Sequence, residues 1–222
     1  NRSGGPMLRL LILFVLLSGP AHAGAWPRKA GAVFVTTSSR VLSAHINGPF
    51  VSYSTLFLEY GLTEKLTLGL DLGRGVSGNN KMIGFIRMPL YVSKSGGHWA
   101  VEIGAGEIAG EATIRPGLSF GQGFSANKRS GWITLDTVAE YRLKSKRTDL
   151  KADLTFGLNY SDRVKGILQL QSGISSGDPS FMRLAPSIVI RAGKRTHVEI
   201  GTTFGLVGDN TVGIAFGLWR EF

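Results

Sequence analysis

Residues 210–222 read Asn-Thr-Val-Gly-Ile-Ala-Phe-Gly-Leu-Trp-Arg-Glu-Phe, and this stretch decides the fold. Large apolar residues recur at every second position from Val212 to Leu218 and again at Phe222, with Arg220 as the exception. Small residues stand between them. A strand that is apolar on one side and small or polar on the other suits a wall between lipid and a lumen. The alternation recurs back to about residue 31, so the sequence predicts an all-β fold, a closed antiparallel transmembrane β-barrel.

The beginning of the chain carries the pattern of a secretory signal peptide. The positive residue Arg9 is followed by an apolar run from Leu10 to Leu17 and then by the small-x-small cleavage site Ala21-His22-Ala23. The run is too short to span a bilayer, which takes about 20 residues. A buried N-terminal helix is the alternative interpretation. We expect residues 1–23 to comprise upstream residues and a cleaved signal peptide, and residues 24–222 to form the barrel.

Composition agrees with export and excludes several classes of protein. The 222 residues contain no cysteine, so a disulfide scaffold and a cysteine-rich metal site are both excluded. A helical membrane bundle would need long apolar spans, and none follows Leu17. A mean hydropathy of only +0.10 is compatible with a barrel, which needs an apolar residue only at every second strand position. The sequence indicates no cofactor.

Turn residues divide the barrel region into segments of about ten to thirteen residues. Strands are predicted near 31–41, 51–62, 66–74, 82–93, 98–108, 112–122, 131–143, 148–160, 164–174, 181–192, 196–207 and 211–222. Twelve is an even number, as expected for a bacterial barrel, although ten or fourteen strands would also fit. With both termini in the periplasm, residues 123–130 become a rather long inner turn.

A soluble β-sandwich would show a similar alternation and is the main structural alternative. The apolar faces are long, as in the predicted strand 148–160, and aromatic residues gather near strand ends, where interfacial girdles belong. Both features favour the membrane. The predicted girdle residues are Tyr60, Trp99, Tyr141, Tyr160 and Trp219.

The signal peptide and the terminal strand ending in Phe222 resemble those of Gram-negative outer-membrane proteins. The resemblance implies an outer-membrane location, contact with outer-membrane lipid, and recognition of Phe222 by the barrel-assembly machinery. Arg220 departs from the pattern, which usually has an apolar or aromatic residue at that position. The stretch from Glu59 to Gly69 is similar to a tight periplasmic hairpin found in small outer-membrane channels and transporters.

Charged residues concentrate on the strand face opposite the apolar one, which is the face predicted to line the lumen. Arginine or lysine on the lipid face costs about 2–4 kcal/mol at the midplane, which explains this concentration. The predicted lumen-lining residues are Glu59, Asp71, Arg87, Glu102, Arg115, Asp136, Glu140, Arg142, Lys151, Asp153, Lys165, Arg183, Arg191 and Glu199.

Two interpretations of these lumen charges stay open. They line a polar pathway and select solutes, or they form ion pairs that fill and brace a narrow barrel. About eight strands give a filled interior and about sixteen leave an open channel, and twelve lies between these limits.

An enzyme is the third option and has the least support in the residues. Twelve-stranded outer-membrane phospholipases use a Ser-His pair oriented by an Asn. His45 lies near Asn47 in the first outer loop, but no serine motif must meet it, and His98 and His197 fall at predicted strand starts. We therefore expect no catalytic, cofactor or metal site.

The residues favour a passive channel or transport protein for small polar solutes. A structural or assembly barrel with an occluded lumen is the alternative, and a lipid-face hydrolase is third.

The basic run Lys144-Ser145-Lys146-Arg147 lies at the predicted outer rim. In an exported barrel this run does not indicate nucleic acid; it meets lipopolysaccharide phosphates or is a solvated turn.

Overall fold

In the computed structural model of the chain, the described residues are 24–43, 48–75, 80–126, 129–177, 179–208 and 210–222. The predicted signal peptide and His45 lie outside them. The structure has twelve β-strands: β1 Val33–Ser43, β2 Phe50–Thr63, β3 Leu66–Gly75, β4 Asn80–Val92, β5 Gly97–Ile108, β6 Glu111–Ala126, β7 Arg129–Arg142, β8 Thr148–Asn159, β9 Val164–Ser175, β10 Phe181–Arg191, β11 Thr196–Val207 and β12 Val212–Glu221.

The strands close into a single antiparallel barrel. Each strand pairs with its neighbours in sequence, and β1 pairs with β12. The last residue takes part in the closure, since the Phe222 amide donates to the carbonyl of Val33 at 2.9 Å. The predicted closed barrel of about twelve strands is confirmed. Within the described part of the chain, no helix is long and apolar enough to cross a bilayer.

The two ends of the barrel differ in what they carry. We call the end at which β1 begins and β12 finishes the terminal end. The opposite end, which includes the connections β1–β2, β7–β8 and β11–β12, is the loop end. All of the connections between consecutive strands are short, so the interior is shaped mainly by side chains of the wall and by the segment that precedes β1.

The outer face of the wall is an apolar belt. Outward side chains such as Leu154, Ile214 and Phe216 remain 43%, 49% and 53% exposed, which suits contact with lipid hydrocarbon. Every strand finds two hydrogen-bonded neighbours, as a membrane wall requires. Arg220 is also outward, at the terminal end, and its guanidinium lies 4.8 Å from the ring centroid of Phe222.

One predicted connection is wrong. Residues 123–130 were expected to form a long turn, but β6 continues to Ala126 and β7 starts at Arg129. The register pairs Gly123 with Trp132 and Ala126 with Arg129. Residues 123–126 and 129–130 are extended ladder residues here, and the strand pair is therefore longer than its alternation indicated.

Candidate functional site in the barrel lumen

The charged side chains of the predicted lumen set share the inward parity of the wall. In the strand register Glu59 lies opposite Gly69, and Gly69 lies opposite Phe85, so all three are on the same face of the wall. Followed around the barrel, this inward face includes Glu199 and Gly217. All fourteen residues of that set fall on this parity. The interior therefore holds charges of both signs, and the contacts among them determine what the lumen can do.

Seven charged side chains form one continuous chain of ion pairs with alternating sign. In order they are Arg28, Glu59, Arg87, Glu102, Arg115, Asp71 and Lys81. Each carboxylate in this ion-pair chain contacts two cations. The chain links β2, β3, β4, β5 and β6 to the segment before β1, so it braces one half of the barrel from within.

The central contacts of the ion-pair chain are short and buried. Arg87 contacts Glu59 through Nη1, and its Nη2 donates to Oε2 of Glu102 at 2.7 Å. Glu59 is 1% exposed and Arg87 is 8% exposed. Arg115 then links Glu102 to Asp71, with 2.5 Å between Nη1 and Oδ2. Buried charges of this kind are held by one another, because each has lost its hydration.

Apolar side chains fill the space around the ion-pair chain. Ile83 and Phe85 point inward and are 0% and 4% exposed, and Phe85 stacks against Phe57 with 5.6 Å between ring centroids. The Phe85 ring fits because Gly69 faces it, where a Cβ would overlap the ring. Among the described residues, this half of the lumen is therefore packed like a protein core.

Two further ion pairs lie toward the loop end. Lys151 Nζ is 2.5 Å from Oε2 of Glu140, and Arg142 pairs with Asp149. Glu140 is therefore held by a lysine on β8. Asp136 lies on the same face of β7, two inward positions before Glu140, and is opposite Asp153. Asp136 and Glu140 therefore have different neighbours, although they lie on the same face of β7.

The other half of the lumen contains a polar cavity of about 270 Å³. Its inward lining, from β7 to β12, β1 and β2, combines hydroxyl groups, one amide and three charged residues with aromatic, aliphatic and small side chains. The lining includes Thr36, Ser38, Thr55, Thr134, Thr155, Gln169 and Ser187, the rings of Phe34, Phe57, Trp132 and Trp219, and the charged Arg40, Asp136 and Glu199.

The charged residues of the cavity are oriented by neutral partners. Arg40 donates from Nη1 to Oε1 of Gln171 at 3.0 Å. Glu199 accepts a hydrogen bond from the Ser187 hydroxyl at 2.6 Å and one from the Trp219 indole at 2.9 Å. These neutral partners orient the two side chains, and none of the ion pairs among the described residues includes Arg40 or Glu199. Fixed charges held in this way can act on a solute.

Trp219 is a correction to the predicted girdle. The structure places it inside the barrel, where its indole nitrogen reaches Glu199. Its parity is that of Gly217, on the inward side, and the half-buried Glu199 carboxylate accepts the hydrogen bond of the half-buried indole. Tryptophan near a strand end is therefore insufficient evidence for a girdle.

The remaining girdle candidates lie on the outward parity. At the terminal end, Tyr60 and Tyr160 are 37% and 53% exposed, and Trp99 packs on Phe120 with 4.8 Å between ring centroids. Tyr141 is 37% exposed at the loop end. Their contact with the membrane interface stays a prediction.

Residues 24–30, which we call the strap, run along the inner wall before β1 begins. The strap crosses from β2, where Lys29 lies against Gly61, to β3, where the Arg28 amide donates to Thr67 Oγ1 at 3.2 Å. It continues past His98 of β5, whose ring centroid is 5.6 Å from that of Trp26.

The far part of the strap reaches β6 and β7. Ala25, 1% exposed, and Trp26 lie on Gly121, where a Cβ would stand 3.0 Å from that of Ala25. Gly24 meets the carboxylate of Asp136. The strap thus covers the inner wall on the β2–β7 side and leaves the opposite half, with its polar cavity, uncovered.

Sequence reasoning missed Arg28, Arg40 and Lys81 as interior residues. Arg28 precedes the first strand, so no alternation indicates its side. Arg40 follows Thr36-Thr37-Ser38-Ser39, where both faces are equally small and polar. Lys81 shares its face with the inward Ile83 and Phe85, so that face looks as apolar as the outward one.

The histidines show no catalytic arrangement in the part of the chain that the structure describes. His98 packs on Trp26, and His197 faces inward opposite Trp219. Within those residues, no group of three or more acidic or histidine side chains is placed to hold a metal ion.

No protein-family model and no curated protein matches this sequence. Solved structures do match it by fold. An outer-membrane channel from Pseudomonas putida F1 has a TM-score of 0.58 at 10% identity, covering 92% of this chain and 99% of that one. The NanC porin has a TM-score of 0.63 at 9% identity, covering 84% and 98%. The KdgM porin has a TM-score of 0.59 at 7% identity, covering 84% and 99%.

These identities show a shared fold and no more. The chain folds as a bacterial outer-membrane β-barrel of the kind seen in channels and porins, which confirms the fold class and the resemblance given by the terminal strand.

Proposed function

We propose that the protein is a passive outer-membrane channel for small polar solutes. The observation that carries this proposal is the polar cavity beside the ion-pair chain. Hydroxyl and amide groups replace part of a solute's hydration shell without binding it tightly, which conduction requires. The path would run along β8–β12 and β1, on the side that the strap leaves uncovered.

The cavity lining bears on the class of solute. One structural neighbour, the KdgM porin, has been described in complex with a disordered oligogalacturonate. In this chain the cavity carries one cation, Arg40, and two anions, Asp136 and Glu199, among many neutral groups. This mixture favours small neutral or zwitterionic polar solutes over large polyanions, because fixed charge of both signs gives weak selectivity.

Two adjacent serines allow a matched test. Ser38 lines the cavity and lies 2.8 Å from Thr55 Oγ1, whereas Ser39 is exposed on the outer face. Ser38→Trp should reduce single-channel conductance in planar bilayers severalfold, and Ser39→Trp should leave it unchanged. A silent parent protein, or equal conductance of the two variants, would contradict the proposed path.

An occluded structural barrel is the second candidate, and a specific observation favours it. The ion-pair chain, Ile83, Phe85 and the strap fill the β2–β7 half of the lumen. If the parent protein conducts no ions while folding stably, this second function is the better account.

We further propose that Phe222 serves as the assembly signal and that the outer membrane is the site of function. Phe222 is 52% exposed and is hydrogen-bonded to the start of β1, so its ring is available to a partner when the barrel closes. Phe222→Ser should lower the yield of heat-modifiable barrel in the outer-membrane fraction, compared with Phe216→Leu. Equal yields would contradict the assignment.

The basic turn between β7 and β8 is exposed at the loop end, with Lys144, Lys146 and Arg147 all accessible. Contact with lipopolysaccharide phosphates at this turn stays a prediction.

A further inference from the structure

A buried carboxylate oxygen faces the first residue of the strap. The backbone of Gly24 lies so close to Asp136 that a Cβ at position 24 would overlap Oδ1. This Oδ1 is buried and has no hydrogen-bond partner among the described residues. On the neighbouring strand β6, Ser119 lies opposite Asp136 in the register. A buried acceptor that lacks a donor is costly.

Asp136 also faces a like charge and has no ion-pair partner among the described residues. Asp136 pairs in register with Asp153 on β8, and both side chains point inward. Like charges directly opposite each other destabilise a strand pair. Among the described ion pairs, none includes Asp136 or Asp153.

Other charged groups act on this pair only at longer range. Arg87, Glu59 and Glu102 influence Asp136, and Arg40, Lys151 and Lys81 influence Asp153. Most of these cations have carboxylate partners of their own in the ion-pair chain or in the Lys151–Glu140 pair. An additional cation at the position of Gly24 would therefore stabilise this carboxylate pair.

We propose that removal of the leader after Ala23 creates this cation, so that the α-ammonium of Gly24 becomes the internal ion-pair partner of Asp136. Hydrolysis by a signal peptidase consumes one water and breaks the Ala23–Gly24 peptide bond. It leaves a carboxylate on Ala23 and an amine on Gly24, which takes up a proton at neutral pH. An uncleaved chain has an uncharged peptide group at this point.

The strap is built to present its first residue at Asp136. Arg28 anchors it to Glu59 through Nε and Oε2 at 2.7 Å, and Trp26 packs between His98 and Gly121. Gly121 leaves room for this packing, and Gly24 leaves room for the carboxylate. Processing would thus complete the lumen, because the processed chain places a positive charge beside Asp136. The inference rests on the predicted cleavage site and not on the proposed channel.

The first experiment measures the α-amine directly in protein purified from outer membranes. Intact mass and N-terminal sequencing should show a chain that starts at Gly24. An amine-reactive acetylating reagent, followed by trypsin and mass spectrometry of the peptide ending at Arg28, should label Gly24 at least severalfold more slowly in the folded barrel than in the unfolded chain. A different first residue, or labelling at the unfolded rate, would overturn the proposal.

The role of Asp136 is tested with a matched pair of variants. Asp136→Asn should increase labelling of the Gly24 amine in the folded barrel severalfold. Asp162→Asn, which changes an exposed carboxylate in the β8–β9 turn, should leave it unchanged. Equal labelling of the two variants would remove Asp136 as the partner. Heat-modifiable mobility on gels establishes that each variant is folded.

Discussion

Arg115 donates two hydrogen bonds to Oε1 of Glu102 on the neighbouring strand, from Nη2 at 2.8 Å and from Nε at 3.1 Å. Their side chains are 4% and 5% exposed. Because both charges are buried, each is held by the other rather than by water. Removing one member of such a pair costs more than the pair itself contributes, since it leaves the other charge unpaired.

Arg115→Met should therefore destabilise the barrel by about 3–5 kcal/mol. The variant leaves Glu102 with Arg87 alone and Asp71 with Lys81 alone. Urea unfolding in liposomes, followed by gel mobility, measures the loss. Lys65→Met, in the exposed β2–β3 turn, is the control and should change stability little. A similar small effect for Arg115→Met would show that the ion-pair chain does not brace the barrel.

The two faces of β8 should respond differently to the same charge. Leu154 is outward and 43% exposed, near the middle of the strand, whereas Thr155 lines the polar cavity. Leu154→Arg should cost about 2–4 kcal/mol, because it places a charge in lipid near the midplane. Thr155→Arg should be better tolerated, since the cavity has room and polar partners. Folding yield and unfolding midpoint in liposomes compare them, and equal values would contradict the assigned faces.

The outer wall could be predicted from sequence because lipid imposes a rule on every second residue. Val212 to Leu218 show that rule at its clearest. The interior follows no such rule, because charged residues, packed apolar residues and cavity-lining residues all occur at the inward-facing positions. Phe85 fits inside because Gly69 makes room for its ring, and Ile83 lies against Gly104; these are contacts between strands that one strand's pattern does not contain.

The position of the strap could not be predicted from hydrophobic periodicity, for a different reason. Residues 24–30 have no alternation, and their partners lie far along the chain, at Glu59, Gly121 and Asp136. The lumen charges were found by parity, but how they pair depends on which strands become neighbours and on side-chain length. Trp219 shows the same limit, because its position near a strand end predicted a girdle while its parity placed it beside Glu199.

Charge selectivity should depend on Arg40 more than on the arginines of the ion-pair chain. Arg40 lines the cavity, and among the described residues it donates a side-chain hydrogen bond to a neutral amide, Gln171. Arg40→Gln should shift the reversal potential toward cations, and the shift should shrink at high salt, because the screening length is about 10 Å at roughly 0.1 M. Lys194→Gln in an exposed turn should not shift it. An unchanged reversal potential in Arg40→Gln would exclude Arg40 from the conducting path.

The strap should be released by adding a single methyl group at the right glycine. Gly121 and Gly123 face inward on the same strand, two residues apart. A Cβ at Gly121 would come within 2.5 Å of the Trp26 ring, whereas a Cβ at Gly123 meets nothing closer than 3.9 Å. Gly121→Ala should therefore displace Trp26 at a cost of about 1–3 kcal/mol, the usual range for overpacking. Gly123→Ala should be near neutral.

Trypsin reports the displacement, because the strap contains Arg28 and Lys29. In the folded parent, Arg28 is held by Glu59 and the Lys29 carbonyl lies against Gly61, so cleavage at these residues should be slow. Gly121→Ala should raise the cleavage rate severalfold while the rest of the barrel stays resistant, since its strands remain paired. Equal cleavage in Gly121→Ala and Gly123→Ala would mean that the position of Trp26 does not depend on the space at Gly121. The contact of Arg28 with Glu59 alone would then hold the strap against the wall.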